Sequence, residues 1–197
     1  PKKTMSSAPV RPSPSKEGSG KHGSPKKGPY QPSLLRALHG CSALAVLGCW
    51  LTGLVVYSRY DGRWGRLPLQ LPGDWIDIHG SVGALLWPVA LLFVLYAIGV
   101  GRARLRQPAN AAALLGLGLA VGSGKLMQED WLRTGQLDHL AYHLHLLAWM
   151  LITGAVIWHV ASVLRRGGVR FAASMAQLHM RDNDGPRSWP AQLLRRR

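Results

Sequence analysis

Residues Asp138–Arg166 read DHLAYHLHLLAWMLITGAVIWHVASVLRR. The run is long enough to cross a hydrocarbon core, which takes about 20 apolar residues in helical form. It also carries imidazoles inside its apolar length. An ionisable side chain placed there is costly and points to function. His145 and His159 stand fourteen positions apart. On a helix that spacing is roughly 40° around the axis and about 21 Å along it. Both rings therefore look out of one side of the helix, at two depths. His143 lies about 160° from His159 by the same geometry. One helix offering two imidazoles at two depths suggests two metal centres stacked across a bilayer.

Three further apolar blocks precede this one. Residues 34–57, LLRALHGCSALAVLGCWLTGLVVY, form a first span, with Ser33 placed as its N-cap. Residues 76–100 form a second, with Pro88 inside it. A proline kink is tolerated in a membrane helix. Residues 109–124 are short and rich in Ala and Gly. Their length alone would allow a re-entrant segment, but small residues suit close packing in a bundle. The fold class expected is all-α, a four-helix integral membrane bundle.

The 197 residues carry a net charge of +15, with only 17% charged residues and 47% hydrophobic ones. A soluble protein so basic would suggest nucleic acid. The apolar blocks make a membrane the better explanation, and no nucleic-acid partner is expected. With four spans, nineteen of the 24 Lys and Arg residues fall on one side. The other side holds Arg59, Arg63, Arg66, Lys125 and Arg133, with six of the nine acids. The positive-inside rule then places both termini inside, on the cytoplasmic side; the membrane expected is the cytoplasmic or another energy-transducing one. The basic ends also suit contact with anionic lipid.

Three regions follow. Residues 1–33, dominated by Pro, Ser, Gly and Lys, read as a disordered cationic tail. Residues 34–166 are the transmembrane domain. Residues 167–197 are a basic, partly amphipathic tail, in which VRFAASMAQLHM (169–180) suits a membrane surface. Met5 is a candidate start. The first apolar block is too long and too far into the chain for a signal peptide.

Orientation assigns each histidine a depth. His39 opens the first span and His159 closes the fourth, both toward the inside. His79 opens the second span and His145 lies early in the fourth, both toward the outside. The four sort into two pairs, His39 with His159 and His79 with His145, each joining two helices. Zinc takes four protein ligands at a structural site, and each depth supplies two. A haem iron needs two axial ligands, because the porphyrin supplies the other four, and imidazole is a standard choice. These four histidines are therefore the expected axial ligands of two haems. The competing reading is four histidines that hydrogen-bond between helices as structural glue. Cys41 and Cys49 make no CxxC or CxxCH motif and read as packing residues.

Ala43, Gly83 and Ala155 place small side chains one turn toward the membrane centre from His39, His79 and His159. Trp149, one turn from His145, breaks that pattern. Arg36 and Lys125 are candidates to meet haem propionates, or are interfacial cations. His143 is a candidate to replace His145 as ligand or to bond a propionate. His139 reads as interfacial, and His179 as polar surface.

These residues resemble the four-helix membrane cytochrome b family, which includes bacterial cytochrome b561 and the cytochrome b subunits of nickel–iron hydrogenases and formate dehydrogenase. The matching elements are R-x-x-H at Arg36–His39, Thr52-Gly53 closing the first span, H-G-x-x-G at His79–Gly83, and HLLAW at His145–Trp149 followed by His159-Val160. The resemblance covers about Leu34–Arg166 and neither tail. It implies two non-covalent b haems, and electron transfer with a quinone or a partner redox subunit. The long basic N-terminal tail and the His143/His145 doublet depart from the pattern.

The expectation is thus a dihaem b-type cytochrome moving electrons across the bilayer between a quinone pool and a redox partner. One alternative is a stand-alone quinone oxidoreductase that takes electrons from a small diffusible donor such as superoxide. Another is a haem-free membrane scaffold that recruits partners through its basic tails. No flavin, iron–sulfur or nucleotide motif is present, and no motif fixes a quinone pocket.

Overall fold

The computed structural model describes residues 29–68 and 71–194. Most of the expected cationic tail, residues 1–28, lies outside them. Among the described residues every regular element is helical: α1 (Ser33–Tyr60), α2 (Trp75–Ile98), a 3-10 turn (Arg102–Arg106), α3 (Pro108–Leu126), the short α4 (Glu129–Arg133), α5 (Leu140–Ala173), a second 3-10 turn (Pro186–Ser188) and α6 (Trp189–Leu194). Four of them, α1, α2, α3 and α5, are long and apolar enough to cross a membrane. The surface agrees. Leu44 on α1, Leu85 on α2, Leu115 on α3 and Ile157 on α5 are 73%, 71%, 75% and 65% exposed. Apolar faces that large on four neighbouring helices have lipid as their natural solvent.

The short third block is long enough to be a full span. At 1.5 Å per residue its 19 residues reach about 28 Å, close to the hydrocarbon thickness. Its low hydropathy comes from its Ala and Gly content, and one of its glycines stands at a close approach. A Cβ added to Gly116 would lie 3.2 Å from the Ile152 Cα of α5.

The bundle is two close hairpins. Helix α1 lies against α2, and α3 against α5, while α5 approaches neither α1 nor α2 closely along its backbone. The hairpins instead meet through long side chains. Trp50 on α1 donates from Nε1 to Thr153 Oγ1 on α5 (2.9 Å) and stacks on Trp149 at 5.6 Å. Between the two histidine levels, Leu86, Ala90, Leu117 and Ile152 form a buried apolar layer drawn from α2, α3 and α5.

At the end of the bundle where α1 begins, the structure departs from the sequence reading. Pro32 occupies the N-cap position of α1, and Ser33 is its first helical residue. The cap is supplied from far along the chain: the Asp184 carboxylate accepts from the Ser33 amide at 2.8 Å and from the Tyr30 hydroxyl. Of the segment expected to lie along the membrane, 169–180, only Val169–Ala173 is helical. Gly168 takes φ 62°, a conformation open to glycine, and breaks the line of α5; the helix ends at Ala173. The chain then folds over the start of α1, packing Met175 and Trp189 against a cluster of Leu34, Leu35 and Tyr96.

Burial alone would raise the Asp184 carboxyl. Its bonds from Tyr30, the Ser33 amide, Gln192 and the Ser33 hydroxyl outweigh that and hold it below the usual carboxylate range. A depressed folded value means the contribution is present above the ordinary carboxylate pKa and is lost as pH falls through the folded one. Asp184→Ala is expected to cost about 2 kcal/mol at neutral pH, since it strands charged-acceptor bonds and a helix cap. Thermal unfolding in detergent should place the variant below wild type at pH 7, with the difference shrinking toward acid.

Candidate functional site

Helix α5 holds His145 and His159 at two levels because its length allows two, and the fourteen-residue spacing keeps both on the side facing the α1–α2 hairpin. That hairpin is antiparallel, so a histidine near the start of each of its helices stands at an opposite end of the bundle. His39 is in the second turn of α1 and His79 in the second turn of α2. The structure brings the rings together as two pairs. His39 and His159 have ring centroids 6.1 Å apart, with their planes 39° apart. His79 and His145 are 6.0 Å apart, at 70°. All four side chains are half-buried.

These separations have a chemical meaning. Two metal–imidazole bonds of about 2 Å each, with a ring radius added at both ends, put centroids about 6 Å apart. Both pairs match that value. Among the described residues no group of three or more His, Cys, Asp or Glu side chains comes together. Two imidazoles do not complete a four-coordinate ion, whereas they complete a haem iron.

Polar side chains on the neighbouring helices orient three of the rings. The Thr52 hydroxyl of α1 donates to the Gly48 carbonyl (2.8 Å), so toward His79 Nδ1, at 3.0 Å, it acts as acceptor. The Ser123 hydroxyl of α3 likewise donates to the Leu119 carbonyl (2.7 Å) and accepts from His145 Nδ1 at 3.0 Å. Each arrangement puts the ring proton on Nδ1 and leaves the Nε2 lone pair for a metal. Asn110 Oδ1 of α3 lies 2.9 Å from His159 Nδ1. Thr52 stands out only as part of the Thr52-Gly53 element, with no role attached to it, and Ser123 and Asn110 do not stand out in the sequence. Thr and Ser are ordinary in membrane helices, with hydroxyls satisfied by the preceding turn. An amide at Asn110 within an alanine run was the available signal.

Two glycines set the far pair in place. A Cβ on Gly53 would lie 3.1 Å from His79 Cε1, and one on Gly124 3.2 Å from His145 Cε1. Around this pair runs a cleft of about 840 Å³, counting its open mouth, lined by His79, Gly83, Trp87, Lys125, His145 and Trp149 among others. Gly83, expected as a small neighbour of the site, faces open space there. Trp149, the expected obstacle, is drawn into a stack with Trp50 and, at 6.4 Å, Tyr57.

The remaining candidates separate. His145, not His143, faces His79. His143 is exposed, with Nδ1 3.1 Å from the His139 carbonyl and Nε2 3.5 Å from Arg63. His139 stacks on Trp131 at 3.7 Å. Arg36 is 7% exposed, and its terminal nitrogens go to the main-chain carbonyls of Gln177 and His179. It clasps the C-terminal segment, which the sequence reading did not foresee. Lys125 Nζ sits 5.6 Å from the Trp87 ring at the cleft.

No family model matches this sequence, and neither a curated protein nor a solved structure is similar to it. The site therefore rests on its own geometry.

Proposed function

We propose that the protein is a membrane dihaem b-type cytochrome that carries electrons across the bilayer between a quinone pool and a redox partner. The observation that carries this reading is the pair of facing imidazoles at each of two levels, with ring separations of 6.1 and 6.0 Å. When bound, haem iron supplies a one-electron couple at each level.

The chain's own residues do the rest. His39 and His159 would hold one group, and His79 and His145 the other, joining the two hairpins at both depths. Thr52 and Ser123 fix their rings and raise the basicity of the coordinating nitrogen. The Leu86, Ala90, Leu117 and Ile152 layer keeps water out of the space between the levels. The levels are about 21 Å apart along α5, which divides the crossing of a core about 30 Å thick into shorter steps. On this reading the end where α1 begins faces the cytoplasm, as the bias of basic residues argues. The energy of transfer comes from the donor and acceptor, and the protein sets distance, orientation and potential.

The test is transmembrane electron flow. Purified protein is reconstituted into vesicles that enclose ferricyanide, and a reduced quinol is added outside. Ferricyanide reduction above that of protein-free vesicles, lost in His79→Ala and in His159→Ala, is expected. Equal reduction with and without protein contradicts the proposal. Direct haem reduction by superoxide, with no response to quinol, would make the small diffusible species the donor.

A further inference from the structure

The two histidine pairs are not equally supported. At the far pair both rings meet a hydroxyl, Thr52 on His79 and Ser123 on His145. At the pair near the start of α1, His159 meets an amide oxygen, while His39 has no hydrogen-bond partner on its ring among the described residues and is met edge-on by Phe93 at 6.1 Å. The orientation of the Asn110 amide is fixed by its other end. Its Nδ2 donates to the Arg104 carbonyl at 2.8 Å, which leaves Oδ1 as the atom facing His159. Arg104 belongs to the 3-10 turn Arg102–Arg106, and its guanidinium donates to Gln31 Oε1 at 3.1 Å. Two polar contacts thus tie one imidazole to the surface loop between α2 and α3, and a third ties that loop to Gln31.

We infer that Asn110 is a positioning residue for His159: it holds the ring proton on Nδ1, presents Nε2 to the centre shared with His39, and lowers that centre's reduction potential. The inference rests on the haem reading. An acceptor on Nδ1–H makes the opposite nitrogen a better donor, and a better donor favours the oxidised, more positive iron. A carbonyl oxygen pinned by the Arg104 backbone is a fixed acceptor that does not rotate away as a hydroxyl does. Because the pinning atom sits in a basic surface turn, displacement of that turn would reach the His159 ring through two hydrogen bonds.

Two measurements test this. Potentiometric titration of the haem-loaded protein compares wild type with Asn110→Leu, which fills similar volume and offers no acceptor. The midpoint of the His39/His159 centre is expected to rise by about 59 mV, a tenfold shift in iron preference, while the other centre stays put. Nitrogen-15 NMR of histidine-labelled, haem-free wild type reads the tautomer without any variant or cofactor. His159 is expected to carry its proton on Nδ1. Loss of that one haem from Asn110→Leu, with the Nδ1 tautomer present in wild type, also supports positioning. Two unchanged potentials in a variant that keeps both haems, or an Nε2–H tautomer in wild type, overturns the inference. Purified wild type without haem overturns the haem reading instead, and the NMR result still decides the role of Asn110.

Discussion

His159→Ala is expected to purify with one b haem where wild type carries two, and His39→Ala with the same one. His79→Ala and His145→Ala should each lose the other haem. Single substitutions thus sort into two classes of identical spectra, each class joining α5 to a different helix. The reason is geometric. Each level offers two imidazoles at coordination spacing, 6.1 Å at one and 6.0 Å at the other, and among the described residues no third histidine joins either pair. On the proposed reading, removing one ring would leave an iron with one protein ligand in an apolar bundle. The cost should match or exceed the 10–100-fold loss in affinity found when a mere supporting residue is removed. His143→Ala is the control and should keep both haems, because its ring is exposed and faces Arg63. Haem per chain, by pyridine haemochrome against protein concentration, reads all five variants. A His143→Ala protein with one haem would move the outer ligand to His143.

Gly53→Val should remove the His79/His145 centre while the His39/His159 centre survives. Even the first added carbon would lie 3.1 Å from His79 Cε1, and valine adds two more carbons to the same space. That ring is held from behind by Thr52, the residue next to Gly53, so it has little room to yield. Helix α1 has to part from α2 or the imidazole has to swing out of line. Gly124→Val should act alike through His145, whose Cε1 would be 3.2 Å from the new Cβ. Overpacking of this kind costs about 1–3 kcal/mol, which translates to a 5- to 150-fold weaker site. Haem titration into the haem-free variants measures the loss. Equal occupancy of both sites in Gly53→Val would mean the ring tolerates the crowding.

The depth of each histidine was legible in the sequence, because a membrane fixes how much helix separates one surface from the other. Four spans of alternating direction leave His39 and His159 at one level and His79 and His145 at the other, and the rings meet in those pairs. The choice of His145 over His143 was open at that stage. It is decided by which side of α5 faces the α1–α2 hairpin, a matter of packing. The third block reads as short and rich in Ala and Gly, and one of those glycines, Gly116, sits where α3 comes close to the α5 backbone at Ile152. Trp149 is expected from its size to crowd the site; it stacks on Trp50 and still lines the cleft beside His145, and the stacking partner on another helix is what local sequence does not report.

The C-terminal segment was the least legible part. Amphipathic composition after Gly168 suits a surface helix, and nothing local reports that Asp184 will cap a helix beginning at Ser33. Long-range capping follows from how the chain returns, which local pattern does not encode. Arg36 shows the same limit. Its position at the start of a span suggests a partner in the membrane interface, and its guanidinium is instead committed to the carbonyls of Gln177 and His179. Ser123 and Asn110 are hidden for the opposite reason, since each makes its contact across to another helix from within an otherwise unremarkable apolar run, and the Thr52-Gly53 element gives no sign that the Thr52 hydroxyl meets His79.

The central claim is that four histidines hold two haems. A reduced-minus-oxidised visible spectrum of detergent-purified protein, expressed with haem supplied and quantified by pyridine haemochrome, tests it most directly. The account predicts a b-type spectrum with two haems per chain. Colourless protein from haem-supplied cells would contradict it and leave four interhelical histidines in a scaffold.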